Sequence, residues 1–451
     1  MKALVLGATG LVGSHALRAL RAAGCTTVGA SRRRPQDEHP DGWIEIDFGR
    51  MTSEDDWLPL LAGSDAVVNC VGILREEQAG DFDLLHRAAP VALFGACERL
   101  GVRRVVQLSA LGSHPDAVTA YWRSKGAADA DLLARTLSAT IVRPSLVYGE
   151  EGASSVLFRA LATLPVLMLP MAHKTKVQPI HVDDLAALIA RLAMASDDAP
   201  RELAGGEAPR EMAADEALRE TAGDEALRAP RELAAVGRRA MTLAGYLGAL
   251  RVGMQAAPSL VLDLPMPLAR MAARVAAWMP SSALTPESLR MLEQSADGGN
   301  TADAAPIAAM LGRPLRDPAR FARPTQRIGA VWSWAAPLIT MAVALLWLVT
   351  AWVSWFGWPH AQSMSWLAAC GVPAGLREPM LLAASVMDAA VGALLLLRPR
   401  RWLWAAQLAL AGGYTVIMSV CLPEFWLHPF GPLSKNLPLL ALMLLMWRVS
   451  K

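Results

Sequence analysis

The sequence predicts an α/β protein with a doubly wound parallel sheet and a small substrate-side lobe, followed by an all-α bundle of four transmembrane helices. Three observations predict it. An apolar run at the front leads into glycines at Gly7, Gly10 and Gly13, short apolar strands alternate with helical segments through residues 1–195, and residues 331–449 are apolar almost throughout. A chain of 451 residues divides into two or more units. Its net charge of +2 carries no nucleic-acid footprint. Five cysteines (Cys25, Cys70, Cys97, Cys370, Cys421) show neither metal-ligand spacing nor a disulfide framework, so no metal is expected and free thiols are the reading. A disulfide between Cys370 and Cys421 stays open.

The first element, Ala3-Leu-Val-Leu-Gly7, is a strand running into a tight turn, and it starts so early that no leader is expected before it. Gly7, Gly10 and Gly13 let the backbone turn sharply and approach a pyrophosphate, with Thr9 and Leu11 in the same turn. The N-terminus of the next helix, expected over Ser14–Ala23, offers free N–H groups and a positive dipole end to the phosphates. A second strand, Thr26–Ala30, ends at Ser31 and Arg32, where an acidic residue would hold the ribose hydroxyls of NAD. These two residues suit a 2′-phosphate, so NADP(H) is expected over NAD(H). A third strand ends at Ile46-Asp47, and a fourth, from Ala66, ends in a small-residue turn at Val71 and Gly72 that would face the cofactor.

A fifth strand, Val105–Leu108, ends at Ser109, and Tyr121-Trp-Arg-Ser-Lys125 opens an alanine-rich helix. Tyr and Lys four residues apart lie side by side on one helical face. The ammonium of Lys125 would lower the Tyr121 phenol pKa and hold the nicotinamide ribose. Tyr121 would then give or take the proton that accompanies hydride transfer. Ser109 would donate a hydrogen bond to the substrate oxygen.

The glycine spacing and this Tyr/Lys pair resemble the extended and atypical short-chain dehydrogenase/reductase superfamily. Through Val71-Gly-Ile-Leu74, Gly101-Val-Arg-Arg-Val-Val-Gln-Leu-Ser-Ala-Leu-Gly112 and the Tyr121 block, residues 1–195 resemble its epimerase/dehydratase-like branch, which includes the 39 kDa subunit of complex I. The resemblance implies a Rossmann fold and places Asp47 beside the adenine. It also implies that the segment Thr140–Gly149, with Pro144, closes over the nicotinamide. Gln178-Pro-Ile-His-Val-Asp-Asp-Leu185 resembles a segment in which an Asp caps the next helix, so Asp183 or Asp184 is expected to cap and His181 to be structural. Ser109 lies 12 residues before Tyr121, closer than is usual in extended members, which puts its catalytic role in doubt.

Residues 196–238 repeat short units such as Ala-Pro-Arg-Glu-Leu-Ala, read as an expanded surface loop without assigned function. Residues 239–325 read as the substrate-side lobe. Within it, Leu264–Met279 is amphipathic: Leu268, Met271, Ala272, Val275 and Trp278 line one face, and Arg270 and Arg274 sit away from it. Packing of that face against the core is the expectation, and lying on a membrane surface is the alternative.

Four apolar stretches follow, near 331–356, 379–397, 402–422 and 434–449, rich in Trp at their ends. With four spans every arginine cluster (Arg313–Arg327, Arg398–Arg401, Arg448) falls on one side, which predicts a multi-pass inner-membrane protein with both termini cytoplasmic. Glu378-Pro-Met-Leu-Leu-Ala-Ala-Ser-Val-Met-Asp388 and the segment from His428 to Leu440 resemble the DoxX-like membrane family. Asp388 falls near the middle of the second span, with Tyr414 expected at similar depth and Lys435 near the outer end of the fourth. It is read as a helix-packing carboxyl, with a proton- or redox-linked site as the alternative.

The function these readings predict is a membrane-anchored NAD(P)-dependent oxidoreductase. Its substrate would be a lipophilic carbonyl, alcohol or quinone, with lipid and a membrane protein or quinone as partners. Epimerase or dehydratase chemistry uses the same pair and stays open. A non-catalytic NADPH-binding scaffold or redox sensor is the alternative from another class. A third reading makes the bundle itself the active part, working through Asp388.

Overall fold

Strand and helix alternate from the first residues of the computed structural model. It describes residues 1–35, 41–195, 231–276, 285–296, 298–429 and 431–450. The order begins β1 (Lys2–Leu6), α1 (Leu11–Ala22), β2 (Thr26–Ser31), β3 (Gly42–Glu45), α2 (Glu54–Leu61), β4 (Ala66–Asn69), α3 (Ala89–Leu100), β5 (Arg104–Leu108), α4 (Ala120–Ala134) and β6 (Ala139–Pro144). It continues with β7 (Val147–Tyr148), α5 (Ala153–Thr163), β8 (Val166–Pro170), β9 (Lys176–Val177), β10 (Ile180–His181), α6 (Val182–Met194) and β11 (Glu232–Ala235). Then come β12 (Met241–Thr242), α7 (Leu243–Met254), β13 (Leu260–Leu264), α8 (Met266–Ala276), α9 (Pro286–Ala296) and α10 (Ala305–Leu311).

Seven of these strands form one sheet in the order β11-β6-β5-β4-β1-β2-β3, parallel at every pairing. Such a sheet is covered on both faces, which is why its strands read as near-continuous apolar runs. Val5, Val68 and Val106 pack under α1 and α6, whereas Leu4, Val67 and Val105 pack under α2, α3 and α4. The order reverses between β1 and β4, and the crevice at that switch point is where such sheets bind ligands. The chain forms two compact units, Met1–Arg327 and Ile328–Lys451. Of the expected repetitive loop, residues 196–230 lie outside the described residues.

Three expectations are corrected. Glu232–Ala235, expected within the repetitive loop of 196–238, is strand β11 beside β6, with Leu233 and Ala235 buried in the core. His181 itself caps α6, its ring nitrogen accepting from the Asp183 N–H. Asp183 and the buried Asp184 instead hold a later segment: Asp183 pairs with Arg316, and Asp184 pairs with Arg313 at 2.7 Å and accepts from the Arg316 N–H at 2.9 Å. Two arginines far along the chain supply stronger partners than a helix start. On α8, Leu268, Met271 and Val275 are exposed rather than packed on the core. The packing side is the small one, Ala269 and Ala273 against Leu289 of α9. Trp278 lies outside the described residues.

Among the described residues three helices are long and apolar enough to cross a membrane: Gln326–Gly357, which leads into the second unit, Ala374–Leu397 and Arg401–Cys421. The fourth expected span is a helix of 14 residues, Asn436–Val449. At 1.5 Å per residue it reaches about 21 Å, short of a hydrocarbon core of about 30 Å. A further helix, His360–Ala369, which the sequence reading did not anticipate, follows the first span. Polar side chains within the bundle find one another: Trp347 donates to Gln407 at 2.8 Å and Asn436 to Thr415 at 2.9 Å. Asp388 is buried, and among the described residues neither its Oδ1 nor the Tyr414 hydroxyl has a hydrogen-bond partner.

Candidate dinucleotide site

The turn after β1 is built by its glycines. Gly7 has φ +71°, a conformation that side chains with a Cβ rarely adopt, and a Cβ there would lie 3.1 Å from the Cys70 carbonyl carbon. A Cβ on Gly13 would overlap the Gly7 carbonyl oxygen, so only glycine lets α1 start this close to β1. Gly10 is looser, since a Cβ would meet only the Gly7 oxygen, at 3.1 Å. Gly10 is the extended N-cap of α1, has no side-chain cap and is followed by no acidic residue in the first turn. Thr9 and Gly10 are exposed. Free N–H groups, an open surface and a positive dipole end suit the pyrophosphate of a dinucleotide. Leu11 packs against the loop at Gly149 and Gly152.

Around the rest of the crevice, Ser31 ends β2 with its hydroxyl donating to the Arg33 carbonyl at 2.6 Å, and the Arg32 side chain is exposed. Asp47 caps the short helical turn that follows by accepting from the Gly49 N–H. Asn69 accepts from the Val71 N–H at 3.1 Å and donates to Gln107 at 2.8 Å, fixing the turn that carries Val71 and Gly72. Pro144 closes β6, and its carbonyl accepts from the Leu111 N–H.

At the inner end, Lys125 is buried and its Nζ donates to the Leu108 carbonyl at 3.2 Å, 5.8 Å from the centre of the Tyr121 ring. A Cβ on Gly72 would stand 3.2 Å from that ammonium, so the Val71–Gly72 turn and the Tyr/Lys helix face one another. Burial lowers the Lys125 pKa to about 8, against the opposing pull of Asp129. Burial likewise pushes the Tyr121 phenol up, so the lowering expected from Lys125 does not prevail in this arrangement.

Ser109 departs from its expected role. It is buried, and its hydroxyl donates to Asp129 at 2.6 Å. Asp129 in turn takes Arg143 at 3.1 Å. The hydroxyl proton is committed to that carboxylate, leaving its oxygen only as an acceptor.

Sequence reasoning missed three contributors. Asp129 follows Lys125 by four residues and was legible as its neighbour on the helix face. His86 was not legible: it sits in an irregular helical turn (Leu84–Ala88) with no motif around it. Its ring accepts from the Ile73 N–H at 3.0 Å, bonds Ser124 at 3.0 Å, and lies 5.5 Å from the Tyr121 ring at nearly a right angle. The third is α9, whose Glu287 accepts from the Tyr121 N–H at 3.3 Å and whose Met291 packs on the same cluster.

Burial depresses His86 to about 3 and His181 to about 4, so both are neutral when folded at pH 6. An unfolded chain protonates them near 6.5 and binds more protons than the native state below that value. Stability is therefore expected to fall by on the order of 5 kcal/mol between pH 6.5 and 4. Thermal unfolding of the full chain across that range checks this, and a flat profile contradicts it.

Residues 3–203 match the NAD dependent epimerase/dehydratase family and residues 344–444 the DoxX-like family. A ceramide reductase from Caulobacter vibrioides is 29% identical over 41% of this chain and 58% of its own length. NADH dehydrogenase (ubiquinone) 1 alpha subcomplex subunit 9 from Arabidopsis thaliana is 29% identical over 44% of this chain and 50% of its own. The chain thus spans about half the length of these two relatives. A Citrobacter triphenylmethane reductase, solved with NADP(H), superposes with TM-score 0.51 over 72% of this chain and 100% of its own, at 13% identity, which shows the fold alone. The chain therefore joins an NAD-dependent epimerase/dehydratase-family domain of Rossmann type to a DoxX-like domain with three membrane-span-length helices.

Proposed function

We propose that this protein is a membrane-anchored oxidoreductase that reduces or oxidises a lipophilic carbonyl, alcohol or quinone, with NADP(H) favoured over NAD(H). The observation that carries the reading is the juxtaposition of the half-buried Tyr121 and the buried Lys125 with the Val71–Gly72 turn, at the inner end of an uncapped glycine turn. Gly7, Thr9, Gly10, Leu11 and Gly13 would hold the pyrophosphate, Ser31 and Arg32 the 2′-phosphate, Asp47 the adenine, and Val71, Gly72, Lys125 and Pro144 the nicotinamide end. A bound nicotinamide supplies or accepts the hydride. Tyr121 supplies or accepts the proton at the substrate oxygen, with Lys125 holding the ribose and offsetting charge on the phenol. Ser109 accepts rather than donates within this set unless Asp129 releases it.

A lipophilic substrate is supported by the three span-length helices in the same chain and by a relative named for reducing a ceramide. Arginine clusters on one side support an inner-membrane protein with both termini cytoplasmic, provided the Asn436–Val449 helix crosses together with its preceding turn. The test is NADPH fluorescence in the detergent-purified full chain as membrane lipid and quinone extract is added. Turnover supports an enzyme, and tight binding without turnover moves the weight to a second reading. That reading is a non-catalytic dinucleotide-binding scaffold or sensor. It draws on the commitment of the Ser109 hydroxyl to Asp129 and on the relative named as a subunit of NADH dehydrogenase.

Arg32→Glu separates the cofactors. NADPH affinity is expected to fall about tenfold or more, the worth of one charge-assisted contact, with NADH little affected. Equal losses for both cofactors would remove the 2′-phosphate assignment.

A further inference from the structure

The first unit exposes an apolar surface that its own core does not use. In β8 and β13 the register pairs Leu260 with Val166 and Leu262 with Met168. All four are exposed, whereas Leu167, between two of them and so on the opposite face, is buried. A two-stranded ribbon thus turns four large aliphatic side chains outward. One residue after β13 the chain enters α8, where Leu268, Met271 and Val275 recur at helical spacing and are again exposed, at 48%, 59% and 68%. Arg270 and Arg274 occupy the adjoining stripe of the same helix, between the exposed aliphatics and the buried Ala269 and Ala273.

We propose that this ribbon and α8 are a membrane-docking surface: the first unit lies on the bilayer through them, aliphatic side chains among the acyl chains and Arg270 and Arg274 at anionic headgroups. A basic amphipathic helix of this kind rests in the interfacial plane. The occupant is a bilayer rather than a second copy for two reasons. The chain runs at Gln326 directly into a helix long and apolar enough to span one, so a membrane surface is present at high effective concentration. Beside the aliphatic stripe of α8 stand two arginines, a sign that complements anionic lipid and would face itself across a symmetric contact. Arg270 already pairs with Glu293 at 2.8 Å, an exposed pair that headgroups can replace at little cost.

The surface bears on the candidate site through one helix. α8 packs on Leu289 of α9, and α9 presents Glu287 and Met291 to Tyr121 and its neighbours. Docking would hold the substrate-side lobe at the lipid surface, where a lipophilic substrate enters. This last step rests on the proposed oxidoreductase reading, and the docking itself does not.

The test places a bimane fluorophore on Met271→Cys in the full chain, with Cys370→Ser and Cys421→Ser, reconstituted in nanodiscs containing phosphatidylglycerol. Cys25 and Cys97 are buried, and a parallel sample without Met271→Cys measures any label taken by the half-buried Cys70. The comparison site is Leu100→Cys, exposed at the C-terminal end of α3. Brominated acyl chains are expected to quench the label at Met271 about twofold or more and to leave that at Leu100 unchanged. Adding Leu268→Gln and Val275→Gln should reduce the quenching while NADPH affinity, which reports a folded unit, stays the same. Quenching at Met271 no greater than at Leu100 overturns the proposal. So does energy transfer between labelled copies that rises with the number of chains per disc without lipid quenching, which would assign the surface to a second copy. NADPH turnover, measured separately, reports whether the oxidoreductase reading stands or fails.

Discussion

Tyr121→Phe is expected to lower kcat by about 10²–10⁴-fold, the range removed with a positioned general acid or base. The change deletes one hydroxyl and keeps the ring that sits 5.9 Å from Phe82 and 5.5 Å from His86. Packing, and with it NADPH affinity, should therefore stay within about twofold of the wild type, since the ring and its buried area persist. The pairing of these two outcomes matters. A loss of turnover with intact binding places the phenol at the proton-transfer step. A parallel loss of both would show that the hydroxyl holds the site together. Unchanged turnover on an identified substrate would assign the proton to another group. Steady-state NADPH oxidation and a fluorescence titration of the same preparation measure both.

The second large effect concerns the glycine turn. Gly13→Ala places a Cβ onto the Gly7 carbonyl oxygen, backbone that cannot give way without moving β1 or α1. Destabilisation of about 1–3 kcal/mol or more is expected, as for an overpacked core position, together with loss of dinucleotide binding. Gly10→Ala provides the contrast. Its Cβ meets one oxygen at 3.1 Å and otherwise open space, so stability should change little. The new methyl would still stand on the surface offered to the pyrophosphate, and NADPH affinity should drop about tenfold or more, the worth of one or more lost charge-assisted contacts. Thermal unfolding and NADPH titration of the two variants separate packing from recognition. Equal destabilisation by both would contradict this division of labour.

The parts of the fold legible in the sequence are those that local chemistry dictates. The parallel strands were readable because burial on both faces makes them apolar runs, as in β4, Ala66–Asn69, and β5, Arg104–Leu108. The turn at Gly7 was readable because positive φ and close approach demand glycine. What escaped depends on partners distant in the chain. The Asp183 and Asp184 carboxylates were assigned to a helix cap because nothing local announced Arg313 and Arg316. The direction in which α8 presents its aliphatic stripe could not be read from periodicity, since a helical moment gives an apolar side but not what covers it. Here two alanines form the packing side.

The candidate site shows the same division. Tyr121 and Lys125 were found by their spacing, and Asp129 could have been found the same way. His86 and Glu287 reach Tyr121 from an irregular turn and from the far lobe, and no pattern in either segment points to it. The expected donor role of Ser109 depended on where its proton goes, and that is set by the buried Asp129 on a neighbouring helix.

The central claim, hydride transfer between a nicotinamide and a lipophilic acceptor, is tested most directly by isotope. The full chain in nanodiscs is incubated with NADPH deuterated at the nicotinamide C4, on each face in turn, and with a membrane lipid and quinone extract that is then analysed by mass spectrometry. The account predicts either one carbonyl lipid that gains a single deuterium at carbon from one face only, or a quinone reduced to its quinol while NADPH loses the label from that face, the O–D exchanging with water, and neither with Tyr121→Phe. An extract with neither a deuterated lipid nor newly formed quinol, from a protein that binds NADPH tightly, would contradict it.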